Sequence, residues 1–233
     1  MDDQTVLITG GTRGIGRAVA EQFAAAGARV VLCGRNHADV YRTTSQLNDS
    51  TDSERVAGVR ADVRDKRDLT ELVDHAVDHG GEVDVVVANA AVNHGRPGEM
   101  PLQEESSSVF HDTMATNVRG VFETINAAVP YLSPSGRVLI PSGSVAREAK
   151  PGMGSYAVSK AGAEALARGF AADLDNPVCV VDPGLVATEL TGIENARDPS
   201  DIAPMFLWAA TEAAPDEIDG EIIDLKTWKQ STR

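Results

Sequence analysis

At 233 residues, 42% of them apolar, the chain is long enough for one domain around one sizeable core. No run approaches the ~18–20 apolar residues of a membrane span. A formal net charge of −14, from 35 acidic against 21 basic residues, argues against nucleic acid or an anionic membrane as a partner.

The acidic start Met1-Asp2-Asp3-Gln4 runs straight into a strand, which gives no expectation of a secretory signal and favours a cytoplasmic location. Thr5–Thr9 reads as a short apolar strand, followed by Gly10-Gly11-Thr12-Arg13-Gly14-Ile15-Gly16 and a helix to about Ala26. Strand, glycine turn and helix form the context of a dinucleotide site: bare backbone lets a pyrophosphate approach, and a helix N-terminus favours the anion. Arg29–Cys33 is a second strand, ending Cys33-Gly34-Arg35-Asn36. A carboxylate at this strand end would bind a ribose 2′-hydroxyl and exclude a 2′-phosphate. Gly34 and Arg35 stand there instead, with Arg13 in the glycine loop, so two guanidinium groups at one corner suggest a bound phosphate; two solvated surface arginines are the alternative.

Ala38–Leu47 is expected as a helix, 48–54 as a polar loop, and Val56–Arg60 as a third strand leading to Ala61-Asp62-Val63. Lys66–His79 carries apolar residues at helical spacing, and Val83–Ala88 is a nearly continuous apolar strand ending Asn89-Ala90-Ala91. A loop over Asn93–Pro101 precedes one long expected helix, roughly Glu105–Leu132, that contains Asn117. Then come strand Arg137–Ile140, the turn Pro141-Ser142-Gly143-Ser144, and a helix over Gly154–Phe170 bearing Tyr156 and Lys160. Strand Val178–Val181 leads into Pro183-Gly184-Leu185-Val186-Ala187-Thr188; helix Pro199–Ala210 and strand Glu221–Leu225 close the chain. Seven strands alternating with helices imply a single α/β domain over residues 1–233, a doubly wound, Rossmann-type parallel sheet flanked by helices.

Spacing i,i+4 puts Tyr156 and Lys160 on one helix face. A free phenol has a pKa near ~10. A cation beside it is expected to lower that value toward the range where a proton can be exchanged near neutrality. Cys33 and Cys179 lie in apolar strands and read as buried free thiols in a reducing compartment. His37, His75, His79 and His111 show no ligand spacing, so no metal is expected; His94 and Arg96 sit on a loop that either contacts substrate or is simply solvated. Lysine is confined to Lys66, Lys150, Lys160, Lys226 and Lys229, and this scarcity favours an acidic surface adapted to a salt-rich cytoplasm over that of an ordinary acidic enzyme.

In this order the motifs resemble the short-chain dehydrogenase/reductase family over nearly the whole chain. Thr9-Gly10-x-x-x-Gly14-Ile15-Gly16 is similar to its cofactor loop, Asp62-Val63 to its adenine-contacting pair, and Asn89-Ala90 to the core of its Asn-Asn-Ala-Gly segment. Tyr156-x-x-x-Lys160 is similar to its catalytic pair, Asn117 to the asparagine that holds a water beside the lysine, and Pro183-Gly184-x-Val186-x-Thr188 to its nicotinamide clamp. The Gly34-Arg35 ending resembles members that use NADP(H). The resemblance implies an oxidoreductase in which Lys160 binds the nicotinamide ribose and lowers the Tyr156 pKa, and Tyr156 protonates the oxygen of a carbonyl that receives hydride. It also implies a homo-oligomer, tetramer or dimer, packed through the helices of Asn117 and Tyr156. A carbonyl reductase acting on ketones or 3-oxoacyl thioesters, an oxidative alcohol, polyol or sugar dehydrogenase, and a non-catalytic dinucleotide-binding protein remain distinct readings, and Arg13 and Arg35 favour the first.

Several positions depart from the family pattern. Ala88 and Ala91 replace an Asn and a Gly, the segment between Thr188 and Pro199 is short for a substrate lid, and Leu225-Lys226 replaces a glycine pair. Counting thirteen residues back from Tyr156, where the family usually places its serine, gives Gly143, which has no hydroxyl. A one-residue shift in the following loop makes Ser144 the serine, the favoured choice because Gly143-Ser144-Val145 resembles the Gly-Ser-Val turn of some reductases. Ser142 and the absence of a serine remain as alternatives.

Overall fold

The structure, a computed structural model, describes residues 1–2, 4–51 and 53–232. Its strands are β1 (Thr5–Ile8), β2 (Arg29–Gly34), β3 (Val56–Arg60), β4 (Val83–Val87), β5 (Leu132–Pro141), β6 (Val178–Asp182) and β7 (Ile222–Asp224). Its helices are α1 (Gly14–Ala25), α2 (His37–Thr51), α3 (Lys66–Gly80), α4 (Ser107–Met114), α5 (Gly120–Ala128), α6 (Gly154–Asp173), α7 (Pro199–Thr211), α8 (Pro215–Ile218) and α9 (Leu225–Ser231). The seven strands pair in parallel in the order β3-β2-β1-β4-β5-β6-β7. The winding reverses between β1 and β4, and an open sheet of this kind opens a ligand crevice at the strands' carboxyl ends at such a point.

Strands covered on both faces are nearly continuous in apolar residues, and every residue of β1 and β6 is buried, the end residues Thr5 and Asp182 included. One face of the sheet packs against α1 and α7 through Phe23, Ile202 and Phe206. The other packs against α3, α5 and α6 through Leu69, Leu72, Ile125, Ala163 and Ala167. Ala88, expected to alter the packing behind the site, sits buried in this second layer. Cys33 and Cys179 are free, and burial pushes both thiols up to about 12.

Four boundaries differ from expectation. The helix α2 continues to Thr51, so the start of the expected loop over 48–54 is helical: the hydroxyls of Ser50 and Thr51 bond back to the Leu47 carbonyl, and Asp52 lies outside the described residues. The expected helix over Glu105–Leu132 is a composite. A 3₁₀ turn over Leu102–Glu104 precedes α4, a π-helical turn over Ala115–Arg119 separates α4 from α5, and a 3₁₀ turn over Val129–Tyr131 follows. β5 begins at Leu132 instead of Arg137. Its register against β4 jumps between Leu132 and Arg137, accommodating Pro134 and Gly136 in an irregular stretch that the Asn176 amide holds through the carbonyls of Ser133 and Gly136. At the end of the chain β7 stops at Asp224, whose carboxylate accepts the Thr227 N–H at 2.7 Å and starts the unanticipated helix α9. The unanticipated α8 is a single turn that buries Ile218.

Candidate active site

Between the turn after β1 and the ends of β2, β3 and β4 lies a cleft of about 360 Å³. Gly10, Thr12, Arg13, Gly14, Ile15, Gly16, Arg35, Asn36, Asp62, Val63, Asn89, Ala90 and Thr188 all line it, as the sequence anticipated. Gly10 and Gly14 hold φ of +67° and +53°, open to glycine at little cost. A methyl group on Gly16 would stand 2.3 Å from the Gly10 carbonyl oxygen, so this turn closes only on glycine. The Asn89 amide donates to the carbonyls of Thr9 and Gly10 at 2.9 and 3.0 Å, and the Thr9 hydroxyl accepts the N–H groups of Asn89 and Ala90. These bonds fix the turn to β4. Thr116, only 5% exposed, lines the same cleft with a buried hydroxyl that has no hydrogen-bond partner among the described residues. A bare glycine turn at a helix N-terminus and an orphaned hydroxyl in the cleft wall fit a dinucleotide.

The two arginines differ. Arg35 is exposed at the cleft corner and has no ion pair among the described residues. Arg13 donates instead to the Glu189 carboxylate at 2.5 Å, across the cleft mouth. The two guanidinium groups expected at one phosphate thus differ in what each must leave: Arg35 has no ion pair among the described residues, and Arg13 has an exposed one. Asp39 also lines this corner, but its carboxylate accepts from Arg42 at 2.7 Å. Asp62 is gripped by Arg64, whose hydrogen bonds hold the carboxyl below the usual range. Arg64 also reaches Asp112, whose other oxygen bonds His94 Nε2 at 2.8 Å, so His94 is tied to the protein and Arg96 is exposed.

Tyr156 and Lys160 rise from the first turns of α6. No side chain of its own segment caps this helix; the Glu105 carboxylate accepts the Ser155 N–H at 2.9 Å. Gly152 ties the preceding loop to the 93–101 loop, its carbonyl accepting the N–H groups of Gly98 and Met100, both at 2.9 Å. The Lys160 Nζ sits 5.7 Å from the centre of the Tyr156 ring and donates to the Pro141 carbonyl at 2.9 Å. Burial lowers the lysine to about 8 against the pull of Glu164 and Asp182. Burial also pushes the Tyr156 phenol up to about 12, which reverses the lowering expected from the neighbouring cation: desolvation of the phenolate is the dominant effect.

Asn117 is buried within the π-helical turn. Its amide donates to the Val92 carbonyl and to Ser159 Oγ, both at 2.9 Å, and its oxygen accepts the Val92 N–H at 2.8 Å. π-Helical turns interrupt the i→i−4 ladder and occur often at functional sites. Ser142 donates a hydrogen bond to Glu164 Oε1 at 2.8 Å, whereas Ser144 accepts one from Lys150 Nζ at 3.1 Å and bonds the exposed Glu148 carboxylate. The residue between them, Gly143, is the one at the thirteen-residue spacing.

Gly184 holds φ of +68° after Pro183, and its N–H donates to Asp182 Oδ1 at 3.0 Å. Val186 is buried and bridges to Arg197, and the Thr188 hydroxyl bonds Thr191. Among the described residues no helix forms between Thr188 and Pro199. Of the anticipated cofactor residues, Pro183, Gly184, Val186, Tyr156 and Lys160 stand outside the cleft wall, while Thr116, Glu189 and Leu190 belong to it without having been singled out. Thr116 and Glu189 each adjoin a motif residue in sequence; no spacing signal of their own marks them. Among the described residues no cluster of His, Cys, Asp or Glu could hold a metal, and no helix is long and apolar enough to cross a membrane.

The profile of the short chain dehydrogenase family matches residues 4–199. A protein provisionally named ketoacyl reductase 2 of the granaticin polyketide synthase, from Streptomyces violaceoruber, is 36% identical over 190 residues, 79% of this chain and 74% of its own. NADPH-dependent aldehyde reductase 2 of Arabidopsis thaliana is 31% identical over 94% of this chain and 91% of its own. A short chain dehydrogenase from Shigella flexneri, solved in complex with NADP, superposes with a TM-score of 0.86 at 27% identity, over 97% of this chain and 98% of its own. With a profile match over most of its length, and a solved member that superposes over nearly the whole chain, the chain belongs to the short-chain dehydrogenase family of oxidoreductases.

Proposed function

We propose that this enzyme is an NADP(H)-dependent carbonyl reductase that converts a ketone or 3-oxoacyl group to a secondary alcohol. The observation that carries this direction is Arg35, exposed at the cleft corner with no ion pair among the described residues: it suits NADP(H), a pool usually kept reduced, and the Tyr156 phenol is protonated in the neutral range as any phenol is. A proton donor suits reduction, whereas oxidation of an alcohol would call for the phenolate. The Arg35 guanidinium, with no ion pair among the described residues, supports a 2′-phosphate on the cofactor, and the Shigella relative was solved with NADP.

When bound, the reduced dinucleotide supplies a hydride to the carbonyl carbon. Tyr156 gives its phenolic proton to the carbonyl oxygen, Ser144 donates a hydrogen bond to that oxygen as negative charge develops, and Lys160 provides the positive charge beside the phenol. Asn117 fixes the 92 backbone against α6 and, by the family resemblance, anchors a water through which Lys160 recovers a proton. Pro183, Gly184, Val186 and Thr188 flank the nicotinamide end. Ser144 fits the donor role better than Ser142 because Ser142 is bonded to the buried Glu164, whereas the Ser144 partners, Lys150 and Glu148, are exposed and exchange readily. The acidic, lysine-poor composition supports a salt-rich cytoplasm as the setting, and the half-exposed Phe110, Phe122 and Val158 support a homo-oligomer packed through α4, α5 and α6.

An NADPH-oxidation screen over ketones, 3-oxoacyl thioesters and sugars, from pH 6 to 9 and at low and high salt, tests the reading. Turnover of a carbonyl substrate is expected, falling as pH rises through about 8, where Lys160 loses its charge. Turnover confined to alcohols with oxidised cofactor would establish the oxidative reading. Tight dinucleotide binding with no turnover of any substrate would favour a binding protein.

A further inference from the structure

Behind Lys160, at the carboxyl ends of β5 and β6, lies a cluster of buried charge that the reaction above leaves without a task. Glu164, one helical turn beyond Lys160 and 3% exposed, accepts a hydrogen bond from Ser142 Oγ at 2.8 Å and pairs with the Arg147 guanidinium. The other arm of the same guanidinium pairs with Asp182, 5% exposed, whose second oxygen accepts the Gly184 N–H. Lys160, 8% exposed, faces the two carboxylates with its ammonium on the Pro141 carbonyl. Two buried anions are thus faced by one buried cation, Lys160, and by one about a third exposed, Arg147 at 35%, and each cation dilutes the attraction the carboxylates exert on the other.

The groups around the ammonium can be named element by element. From α6 come Tyr156 and Glu164, from β6 Asp182, from β5 the Pro141 carbonyl, and from the turn after β5 the Ser142 hydroxyl and Arg147, which also faces the exposed Glu148 carboxylate. The π-helical turn contributes Asn117, which is uncharged and bonded to Ser159.

We propose that Arg147 is a positioning residue of this active site: by straddling Glu164 and Asp182 it sets how much of their charge reaches the Lys160 ammonium, keeping that ammonium on the Pro141 carbonyl instead of drawn onto Glu164. The inference rests on the reading of Lys160 as the active-site lysine. A purely structural brace joining α6 to β6 would use the same contacts, but it would not make the ionisation of Lys160 respond to Arg147.

The test is a titration of Lys160 by NMR in protein labelled at the lysine side chains, of which the sequence has five, with the signal assigned by its loss in Lys160→Arg. Removing the Glu164 charge in Glu164→Gln is expected to lower the Lys160 midpoint by about one pH unit. Removing the Arg147 charge in Arg147→Gln is expected to raise it, and the alkaline limb of kcat/KM is expected to move the same opposite ways. The double variant Glu164→Gln/Arg147→Gln buries no excess charge and keeps the test available if Arg147→Gln fails to fold. Its midpoint is expected to return near the wild-type value. A double variant that stays at the Glu164→Gln midpoint, or single variants that lose thermal stability with Lys160 unmoved, would reduce Arg147 to a brace and overturn the proposal. The titration needs no substrate, so Lys160→Ala assayed separately decides the catalytic reading: full turnover there would sink that reading and leave the titration result standing.

Discussion

Around the turn after β1 the enzyme meets its ligand with bare backbone and with arginines left in water, whereas at the ends of β5 and β6 its charges are buried among one another. Arg13 and Arg35 are both exposed, and Arg13 is held only by an equally exposed Glu189. Exposed pairs of this kind contribute little to stability, ~0–1 kcal/mol, and break readily when a better anion arrives. Glu164, Asp182 and Lys160 are nearly withdrawn from the surface, with Arg147 joining the two carboxylates and the Pro141 carbonyl holding the ammonium. The cofactor end can therefore exchange partners, while the reacting end is organised before substrate arrives.

The sharpest way to break this comparison is at the reacting end. Tyr156→Phe removes the proton donor without touching the cleft, and turnover is expected to fall by roughly 10²–10⁴, the range general acid catalysis supplies. Fluorescence titration of NADPH should give a Kd close to that of the wild type. Substantial residual turnover would mean that the proton comes from another group. Next in size is the serine. Ser144→Ala is expected to lower kcat by roughly 10²–10³, the cost of one lost donor to a developing oxyanion. Ser142→Ala should cost much less catalytically and show instead as lost stability, through the hydrogen bond to Glu164. If the two effects are reversed, the one-residue shift in the loop is misplaced.

The cofactor end should respond more softly. Arg35→Ala is expected to erase most of a preference for NADPH over NADH, roughly tenfold or more in kcat/KM, because a 2′-phosphate loses its charged donor. Glu189→Gln should do the opposite and tighten NADPH binding a few-fold, since Arg13 then has no carboxylate to leave. An unchanged Kd for NADPH in Glu189→Gln would show that Arg13 never engages the phosphate.

Most of the sheet was legible because each central strand is a continuous apolar run and each turn into the cleft carries glycine. The glycine loop, Asp62-Val63, Asn89-Ala90 and Thr188 all reach one cleft, as their motif positions implied. What the sequence hid is non-local. Nothing near Arg13 announces Glu189, and nothing in the turn Ser142–Arg147 announces that Glu164 and Asp182 will close on it. The start of β5 was missed because Pro134 and Gly136 look like a break in a strand, while the structure uses them in a register jump. The direction of the Tyr156 shift was missed for a related reason: spacing places the lysine near the phenol but says nothing of how much water the fold removes from it.

The π-helical turn at Ala115–Arg119 also sets the phase of the helices on either side of it. An α-helix advances about 100° per residue, so Phe110 and Phe122, twelve positions apart, would stand about 120° from each other on an unbroken helix. A turn that absorbs one extra residue removes one step and brings them to within about 20°. The two rings, 40% and 42% exposed, then lie in one longitudinal stripe, with Phe122 leaning on Phe170 of α6 at 5.9 Å between ring centres. The single residue of slack that lodges Asn117 against Val92 and Ser159 is thus also what aligns the outer surface. Deleting one residue there would rotate α4 against α5 and scatter that stripe while leaving every side chain in it unchanged.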